Sequence, residues 1–260
     1  MNLGLAGKQA LVCASSRGLG LACAEELAAN GVNLIMNGRD VNVLSSEAAR
    51  IRSTYNVKVN PVAADVTTPE GRAKILSAVE GDIDILVNNA GGPPPGDFRS
   101  WSQDDWNSAL NSNMLTPIEL IKAVIDPMIS RRFGRIVNIT SSSVKSPIPQ
   151  LGMSNGARSG LTGFVGGLAR QVAEHNVTVN NLLPGTFDTD RINSLTSSLA
   201  LQQGRDASEI RKDMEAANPC KRIGYTKEFG QACAFLCSAH SGYIVGQNLL
   251  IDGGAFNSSF

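Results

Sequence analysis

The 260-residue sequence lacks several features that mark particular classes of protein. Its 23 basic and 23 acidic residues leave no net field that would attract nucleic acid or an anionic membrane. No apolar run approaches the ~20 residues of a membrane-spanning helix. The N-terminal residues also lack the basic start and apolar core of a secretory leader. We therefore expect a cytoplasmic protein whose partner is a small molecule, with no nucleic acid and no membrane.

The five cysteines do not have the number or spacing of a disulfide framework. Only Cys233 and Cys237 lie close enough on one predicted helix face to suggest a metal ligand pair. Buried thiols in a reducing compartment are the favoured interpretation, and we predict no metal site.

Hydrophobic residues make up 42% of the chain and charged residues 18%, which suits one compact domain with a large core. Seven short runs are so uniformly apolar that they predict strands of a parallel sheet covered on both faces. These runs are 9–14, 32–37, 57–65, 83–90, 135–140, 177–184 and 248–252. Segments with helical periodicity lie between them, at 19–30, 40–54, 68–79, 102–131, 153–175, 191–217 and 226–238.

This alternation predicts βαβ crossovers, and hence a single α/β domain over residues 1–260. The expected fold is a doubly wound parallel (Rossmann) sheet of about seven strands with helices on both faces. Ligands of such sheets bind beyond the carboxyl ends of the strands, where the strand order reverses. Functional residues are therefore expected directly after the apolar runs.

A glycine-rich turn, "ASSRGLG", follows the first run and places Ala14, Gly18 and Gly20 between a strand and a helix. Small residues there let the backbone approach a diphosphate, whose charge is met by free N–H groups at the helix start. We interpret the turn as a dinucleotide site.

The second strand ends in "NGRD", so that Gly38 stands where an acidic residue would bind a ribose 2′-hydroxyl. Arg39 follows it, and Arg17 lies within the first turn. Two guanidinium groups at this place favour a 2′-phosphate, and so predict NADP (NADPH) rather than NAD.

Several motifs together resemble the short-chain dehydrogenase/reductase family, of the 3-oxoacyl-carrier-protein reductase type, over essentially the whole chain. They are "ASSRGLG" (14–20), Asp65-Val66, "NNAG" (88–91), Asn113, "RIVNITS" ending at Ser141, "PGTFDTD" (184–190) and "GQNLLIDGG" (246–254). The resemblance implies an oxidoreductase acting on a small-molecule carbonyl or alcohol. It also implies a homotetramer or homodimer built on the helices predicted at 102–131 and 153–175.

The same resemblance implies which residues line the cofactor cleft. Asp65 and Val66 would border the adenine, and Thr189 would meet the nicotinamide carboxamide. With the turn and the two arginines, the expected cofactor-binding residues are Ala14, Ser16, Arg17, Gly18, Leu19, Gly20, Arg39, Asp65, Val66, Asn89, Ala90, Gly91, Arg158, Pro184, Gly185 and Thr189.

The sequence departs from the family at two places. Cys13-Ala14 replaces the usual Thr-Gly of the turn, which adds a Cβ at a crowded position and is expected to weaken cofactor binding. Alignment through "SGLTGF" places the family's catalytic tyrosine at Ser154 and its lysine at Arg158, and the chain has no tyrosine between residues 55 and 225.

The expected catalytic residues are therefore Asn113, Ser141, Ser154 and Arg158. The last two are neighbours at helical spacing, but a serine hydroxyl is a far weaker acid than a tyrosine, and an arginine stays protonated. Lys145, or a water held by Ser141, Ser154 and Asn113, could supply the proton instead. The alternatives are a solvated Lys145, and a Ser154 that caps a helix starting at residue 155.

The predicted function is an NADP-dependent oxidoreductase with an altered acid/base position. One alternative is a non-catalytic NADP-binding sensor or scaffold protein, to which Ala14, Ser154 and Arg158 point, and a weaker one is a lyase or isomerase using the same cleft. Loop 91–98 is expected to narrow the entrance, and 191–217 to form a mobile lid.

Overall fold

The computed structural model describes residues 2–258, which form seven strands and nine α-helices in alternation. The strands are β1 (Gln9–Val12), β2 (Asn33–Gly38), β3 (Val59–Ala63), β4 (Ile85–Asn88), β5 (Gly134–Ile139), β6 (Val177–Pro184) and β7 (Asn248–Ile251). The helices are α1 (Gly18–Ala29), α2 (Val41–Tyr55), α3 (Pro69–Ser77), α4 (Gln103–Leu110), α5 (Thr116–Arg131), α6 (Gly152–Val172), α7 (Asp190–Gln203), α8 (Ala207–Ala217) and α9 (Thr226–Cys237).

The strands form one parallel sheet in the order β3-β2-β1-β4-β5-β6-β7. The order reverses between β1 and β4, so the chain crosses first to one side of β1 and then to the other. This confirms the predicted doubly wound sheet, and it puts the expected ligand crevice at the carboxyl ends of β1 and β4.

Successive side chains of the central strands enter two different cores. Ala10 and Val12 of β1 pack with α1, α2 and α9, whereas Leu11 packs on the opposite face with α3, α5 and α6. Because a strand buried on both faces needs apolar residues at every position, the runs lack alternation.

Two segments predicted as continuous helices are interrupted. Between α4 and α5, residues Asn111–Leu115 form a π-helical turn, in which the N–H of Thr116 donates to the carbonyl of Asn111. Pro117 follows and has no N–H to donate to the carbonyl of Asn113, so a regular helix is broken at this point. The segment 191–217 is likewise two helices, because Gly204 ends α7 in a left-handed conformation and Asp206 caps α8.

The expectation of buried thiols is correct for Cys13, Cys23, Cys233 and Cys237 but wrong for Cys220, which is exposed after α8. Within residues 2–258, no group of three or more His, Cys, Asp and Glu side chains is placed to hold a metal ion. Over the same range, none of the helices has the length and hydropathy needed to cross a membrane.

Candidate functional site

The start of α1 presents unpaired N–H groups at the crevice. Arg17 is the N-cap residue, its side chain makes no capping bond, and the first turn contains no acidic residue. The N–H groups of residues 16–20 find no acceptor among the described residues, and the first intrahelical bond is from Leu21 to Arg17. Donors arranged in this way fit the diphosphate of a dinucleotide.

The turn before α1 is tightly packed against the end of β4. A Cβ on Gly20 would lie 2.2 Å from the Ala14 carbonyl oxygen and 2.8 Å from Nδ2 of Asn89, so only glycine fits. Asn89 donates from Nδ2 to that same carbonyl over 3.3 Å. Ala14 has a φ of +45°, in the left-handed region that costs a residue with a Cβ about 1–2 kcal/mol. The substitution noted in the sequence is thus a source of backbone strain.

The two arginines expected at a 2′-phosphate differ in their surroundings. The guanidinium of Arg17 lies 3.6 Å from the carboxylate of Asp40, and both side chains are exposed. Arg39, also exposed, makes no hydrogen bond or ion pair with the described residues. A Cβ on Gly38 would lie 3.0 Å from Oγ of Ser16, which leaves little room for an acidic side chain there. Of the two arginines, only Arg17 has a carboxylate partner among the described residues, so the guanidinium of Arg39 is the one available to a 2′-phosphate.

Asp65 and Val66 follow β3 on the same side of the crevice. The Asp65 carboxylate accepts from the N–H and hydroxyl of Thr67, and these bonds, with a smaller effect of the Arg39 charge, lower its pKa. Arg39 is therefore close to the end of β3. The Val66 side chain is buried in the core, so only its backbone can border a ligand.

Asn113 lies in the π-helical turn, facing the end of β4. Its Nδ2 contacts Oγ of Ser112 at 2.7 Å, with longer bonds to the carbonyls of Gly91 and Ala109, both at 3.4 Å. Its Oδ1 is buried without a partner. A buried unpaired acceptor is costly, and π-helical turns are frequent at functional sites. The hydrogen bond from Nδ2 of Asn113 to the carbonyl of Gly91 brings these two predicted residues together.

Ser154 does not cap its helix, and that alternative is wrong. Helix α6 begins two residues earlier, at Gly152, with Leu151 at the N-cap, so Ser154 lies inside the first turn. The Ser154 hydroxyl instead accepts a hydrogen bond from Nε of Arg158 over 3.2 Å. The pair expected from helical spacing is thus formed.

Arg158 is a buried cation, with only 7% of its surface exposed. Nη1 donates to the carbonyl of Ile139, at the end of β5, over 2.7 Å. Burial lowers the pKa of the guanidinium to about 10, and the nearby charge of Arg191 contributes to the shift. Because this value is well above neutral, Arg158 carries its charge at physiological pH. Within residues 2–258, it has no carboxylate partner within 4 Å.

Ser141 and Lys145 lie in the loop after β5. The half-buried Ser141 caps the short 3₁₀ turn Ser142–Val144, and its Oγ accepts from the N–H of Ser143. Lys145 is exposed, and its Nζ lies 5.8 Å from the centre of the Phe256 ring. This position favours the interpretation of Lys145 as a solvated side chain.

A cavity of about 10 Å³, which fits about one water molecule, lies between β4, β5 and α6. Some of the residues that line it were predicted as site residues, and others belong to no predicted motif. Its lining residues are Asn88, Asn89, Ala90, Ser112, Asn113, Pro117, Asn138, Ile139, Arg158 and Leu161. Ser141 is not among them, whereas Ser154 is linked to the cavity through Arg158.

The loop after β6 closes the crevice on its other side. The N–H of Gly185 donates to the carbonyl of Ile251 over 2.8 Å, and a Cβ at this glycine would overlap Asp252. Thr189, at the start of α7, has Cγ2 3.5 Å from the Cβ position of Gly18. Thr189 therefore lies against the first turn of α1, whereas Pro184 and Gly185 contact the end of β7. Their roles as cofactor contacts stay predictions.

A row of asparagine amides crosses the sheet beside the cavity and was not predicted. Asn88, Asn138, Asn181 and Asn248 lie opposite one another on β4, β5, β6 and β7. Each Nδ2 donates to the next Oδ1, over 2.9, 3.0 and 2.8 Å in that order, and Oδ1 of Asn88 remains unpaired at the cavity. Single asparagines in apolar runs were the available signal, but only the strand register shows that they are neighbours.

Comparison with known proteins gives one consistent family. The model of the enoyl-(acyl carrier protein) reductase family matches residues 13–255. The 3-oxoacyl-[acyl-carrier-protein] reductase of Vibrio cholerae is 34% identical over 260 residues, covering 98% of this chain and 99% of that protein. The enzyme of that name from Aquifex aeolicus is 35% identical, covering 98% of this chain and 100% of that protein.

Solved structures give the same result. L-sorbose reductase from Gluconobacter frateurii, complexed with NADPH and L-sorbose, superposes with a TM-score of 0.95 at 29% identity, covering 99% of this chain and 100% of that one. YwfH, an NADPH-dependent reductase involved in bacilysin biosynthesis, has a TM-score of 0.92 at 29% identity, covering 96% of this chain and 99% of that one. The similarity in both cases extends over the whole fold.

Proposed function

This chain belongs to the short-chain dehydrogenase/reductase family, of the 3-oxoacyl-carrier-protein reductase-like type, and we propose that it reduces a carbonyl group, or oxidises the corresponding alcohol, with NADP(H). The observation that carries this proposal is the hydrogen-bonded pair Ser154 and Arg158 at the cavity that contains Asn113. A helix cap alone would not need a buried guanidinium. Unpaired N–H groups at residues 16–20 support the binding of the dinucleotide.

Bound NADPH supplies the hydride for such a reduction, and this chain has to hold the substrate and deliver a proton to its oxygen. Arg158 donates to Oγ of Ser154, so the hydroxyl proton of Ser154 is free to bond to a substrate oxygen. The guanidinium also places positive charge where negative charge develops on that oxygen. Ser154 therefore orients the carbonyl, and Arg158 stabilises the alkoxide.

A water molecule in the small cavity is the proton donor that this arrangement favours. Arg158 would donate to the oxygen of this water, and the unpaired Oδ1 of Asn88 would accept one of its protons. The second proton, bonded to Oδ1 of Asn113 before reaction, would pass to the alkoxide, and Arg158 would stabilise the hydroxide formed until solvent reprotonates it. This differs from the water predicted from sequence in having Asn88 and Arg158, rather than Ser141 and Ser154, as partners beside Asn113. The observed position of Lys145 gives no support to a role as the acid.

The helix pair α7 and α8 would serve as the substrate lid, since Thr189 and Arg191 at its start reach the crevice.

A homotetramer or homodimer is supported by the open face of α6, where Cβ atoms on Gly163, Gly166 and Gly167 would meet nothing within 4 Å. Light scattering at micromolar concentration should give a dimer or tetramer mass. A monomer mass would contradict the proposed assembly.

The proposal is tested by screening carbonyl compounds and alcohols for NADPH oxidation or NADP⁺ reduction by the native protein. The double variant Ser154→Tyr with Arg158→Lys supplies the comparison. Turnover by the native protein on any compound supports the oxidoreductase. If only the double variant turns over, the non-catalytic sensor or scaffold is the better description. A non-redox conversion of a substrate by the native protein would instead favour the lyase or isomerase.

A further inference from the structure

Arg158 is a buried positive charge whose protein partners are both neutral. A guanidinium has five N–H donors, and the bonds observed use one on Nε and one on Nη1. The acceptors are a hydroxyl and a backbone carbonyl. A buried charge without a counterion is costly, and Arg158 lines the cavity. The site therefore lacks a negative charge that a ligand would supply.

Arg191, in the first turn of α7, is a second cation on the side of the cavity where Gly91 accepts a hydrogen bond from Asn113. Its Nη1 lies against the backbone of Gly92, since a Cβ there would be 2.5 Å away. Arg191 makes no hydrogen bond or ion pair with any residue in the range 2–258. Its charge is close enough to contribute to the lowered pKa of Arg158. The protein thus holds two mutually repelling cations at one end of the crevice.

The carboxylates around this end do not neutralise them. Asp97 in the neighbouring loop pairs with Arg99 at 3.2 Å, and Asp188 pairs with Arg211 at 3.0 Å. Asp190 is exposed and pairs with neither cation. Lys145, after β5, adds a further positive charge at the surface. Neither Arg158 nor Arg191 therefore has a carboxylate within ion-pair distance among the described residues.

We propose that the substrate is a carbonyl compound or alcohol that carries an anionic group, a carboxylate or a phosphate, and that this group binds between Arg158 and Arg191. This inference rests on the proposed function and names the substrate class of that site. The diphosphate of the dinucleotide is a weaker candidate for the anion, because the unpaired N–H groups of residues 16–20 are available to bind it. Charge-assisted bonds from guanidinium groups recognise either anion.

The test measures binding separately from turnover. Acetate, benzoate and inorganic phosphate are titrated by calorimetry into the protein saturated with NADP⁺, with acetamide and benzamide as neutral counterparts. The native protein should bind at least one carboxylate or phosphate about tenfold or more tightly than the neutral compounds, as expected for a hydrogen bond between charged groups. Arg191→Gln, a change at an exposed residue, should remove that difference.

Arg170→Gln is the matched control, because Arg170 is exposed on the same helix about 18 Å beyond Arg158, at 1.5 Å per residue. It should leave the preference unchanged. Equal binding of charged and neutral probes, or no anion binding, would overturn the proposal. Anion binding that occurs only without NADP⁺ would also overturn it, and would assign the arginines to the diphosphate.

Turnover then separates the two proposals. Anion binding to the NADP⁺ complex without reduction of any carbonyl compound would sustain the anion site and reject the oxidoreductase. If methyl esters of oxo acids are reduced as efficiently as the free acids, the oxidoreductase stands and the anionic substrate class is rejected.

Discussion

Nε of Arg158 donates a 3.2 Å hydrogen bond to Oγ of Ser154, one helical turn earlier, and both residues are buried. The bond fixes which way the serine hydroxyl can donate, because its oxygen is already engaged by a cation. The pair consequently resembles a substrate-orienting group more closely than an isolated serine would. Its contribution to catalysis can be tested by removing only the hydroxyl.

Ser154→Ala should lower the turnover of any substrate found by about 10²-fold or more, the lower range for loss of one hydrogen-bond donor to the developing negative charge. The affinity for NADPH should change little, because the cradle at residues 16–20 is untouched. Steady-state kinetics and fluorescence titration measure the two effects. Ser154→Thr keeps a hydroxyl and should retain most of the activity; equal activity of the Ala and Thr variants would remove Ser154 from the mechanism.

Arg39→Gln should weaken NADPH binding by about tenfold or more and leave NADH binding nearly unchanged, because a charge-assisted bond to the 2′-phosphate is lost. Native protein should prefer NADPH. Titration of both cofactors measures this, with Arg170→Gln as a control for the change in charge. A native protein that binds NADH equally well would show that Arg39 and Arg17 do not meet a 2′-phosphate.

Ala14→Gly should stabilise the protein by about 0.5–1 kcal/mol, because glycine adopts the observed φ of +45° without strain but loses more entropy on folding. Denaturant unfolding gives the free energy. Ala49→Gly, at an exposed position inside α2, should destabilise by about 0.5–1 kcal/mol and provides the control. If both variants are destabilised, Ala14 is not strained in solution.

Asn138→Leu should destabilise the protein strongly, because it leaves Nδ2 of Asn88 and Oδ1 of Asn181 buried without partners. Each unsatisfied group costs about 1–3 kcal/mol. Asn248→Leu, at the end of the row, removes the partner of Asn181 alone and should cost less. Unfolding free energies in denaturant compare the two, and the reverse order would mean that the row is not formed as described.

Asp65→Asn should make stability less dependent on pH in the acid range. The folded-state pKa of Asp65 is lowered by its bonds from Thr67 and, more weakly, by Arg39. A lowered pKa stabilises the fold above the ordinary carboxylate pKa of about 3.9, and this contribution is lost as pH falls through the folded value. The free-energy difference between native and variant protein should therefore shrink from pH 7 to pH 3, and a constant difference would contradict the effect.

Most of the fold follows from local patterns in the sequence. Uniformly apolar runs predict buried strands, and β1 and β5 lie within two residues of the runs at 9–14 and 135–140. The interruptions of the two predicted helices were not predicted, although the sequence contains Pro117 and Gly204 at these places. A single proline or glycine within a helical pattern does not show whether the helix bends there or ends there. The candidate site was predicted from motif spacing, and its chemistry stays a prediction.

The sequence by itself determined the βαβ alternation, the family, and the presence of Ser154 and Arg158 one helical turn apart, because these depend on order and spacing along the chain. Only the tertiary structure decided what those side chains contact. The asparagine row spans 160 positions, from Asn88 to Asn248, and exists because parallel strands place them in register. Arg191 reaches the backbone of Gly92 only because α7 starts at the crevice. Burial and charge at the site depend on residues that are distant in sequence, and no local pattern specifies them.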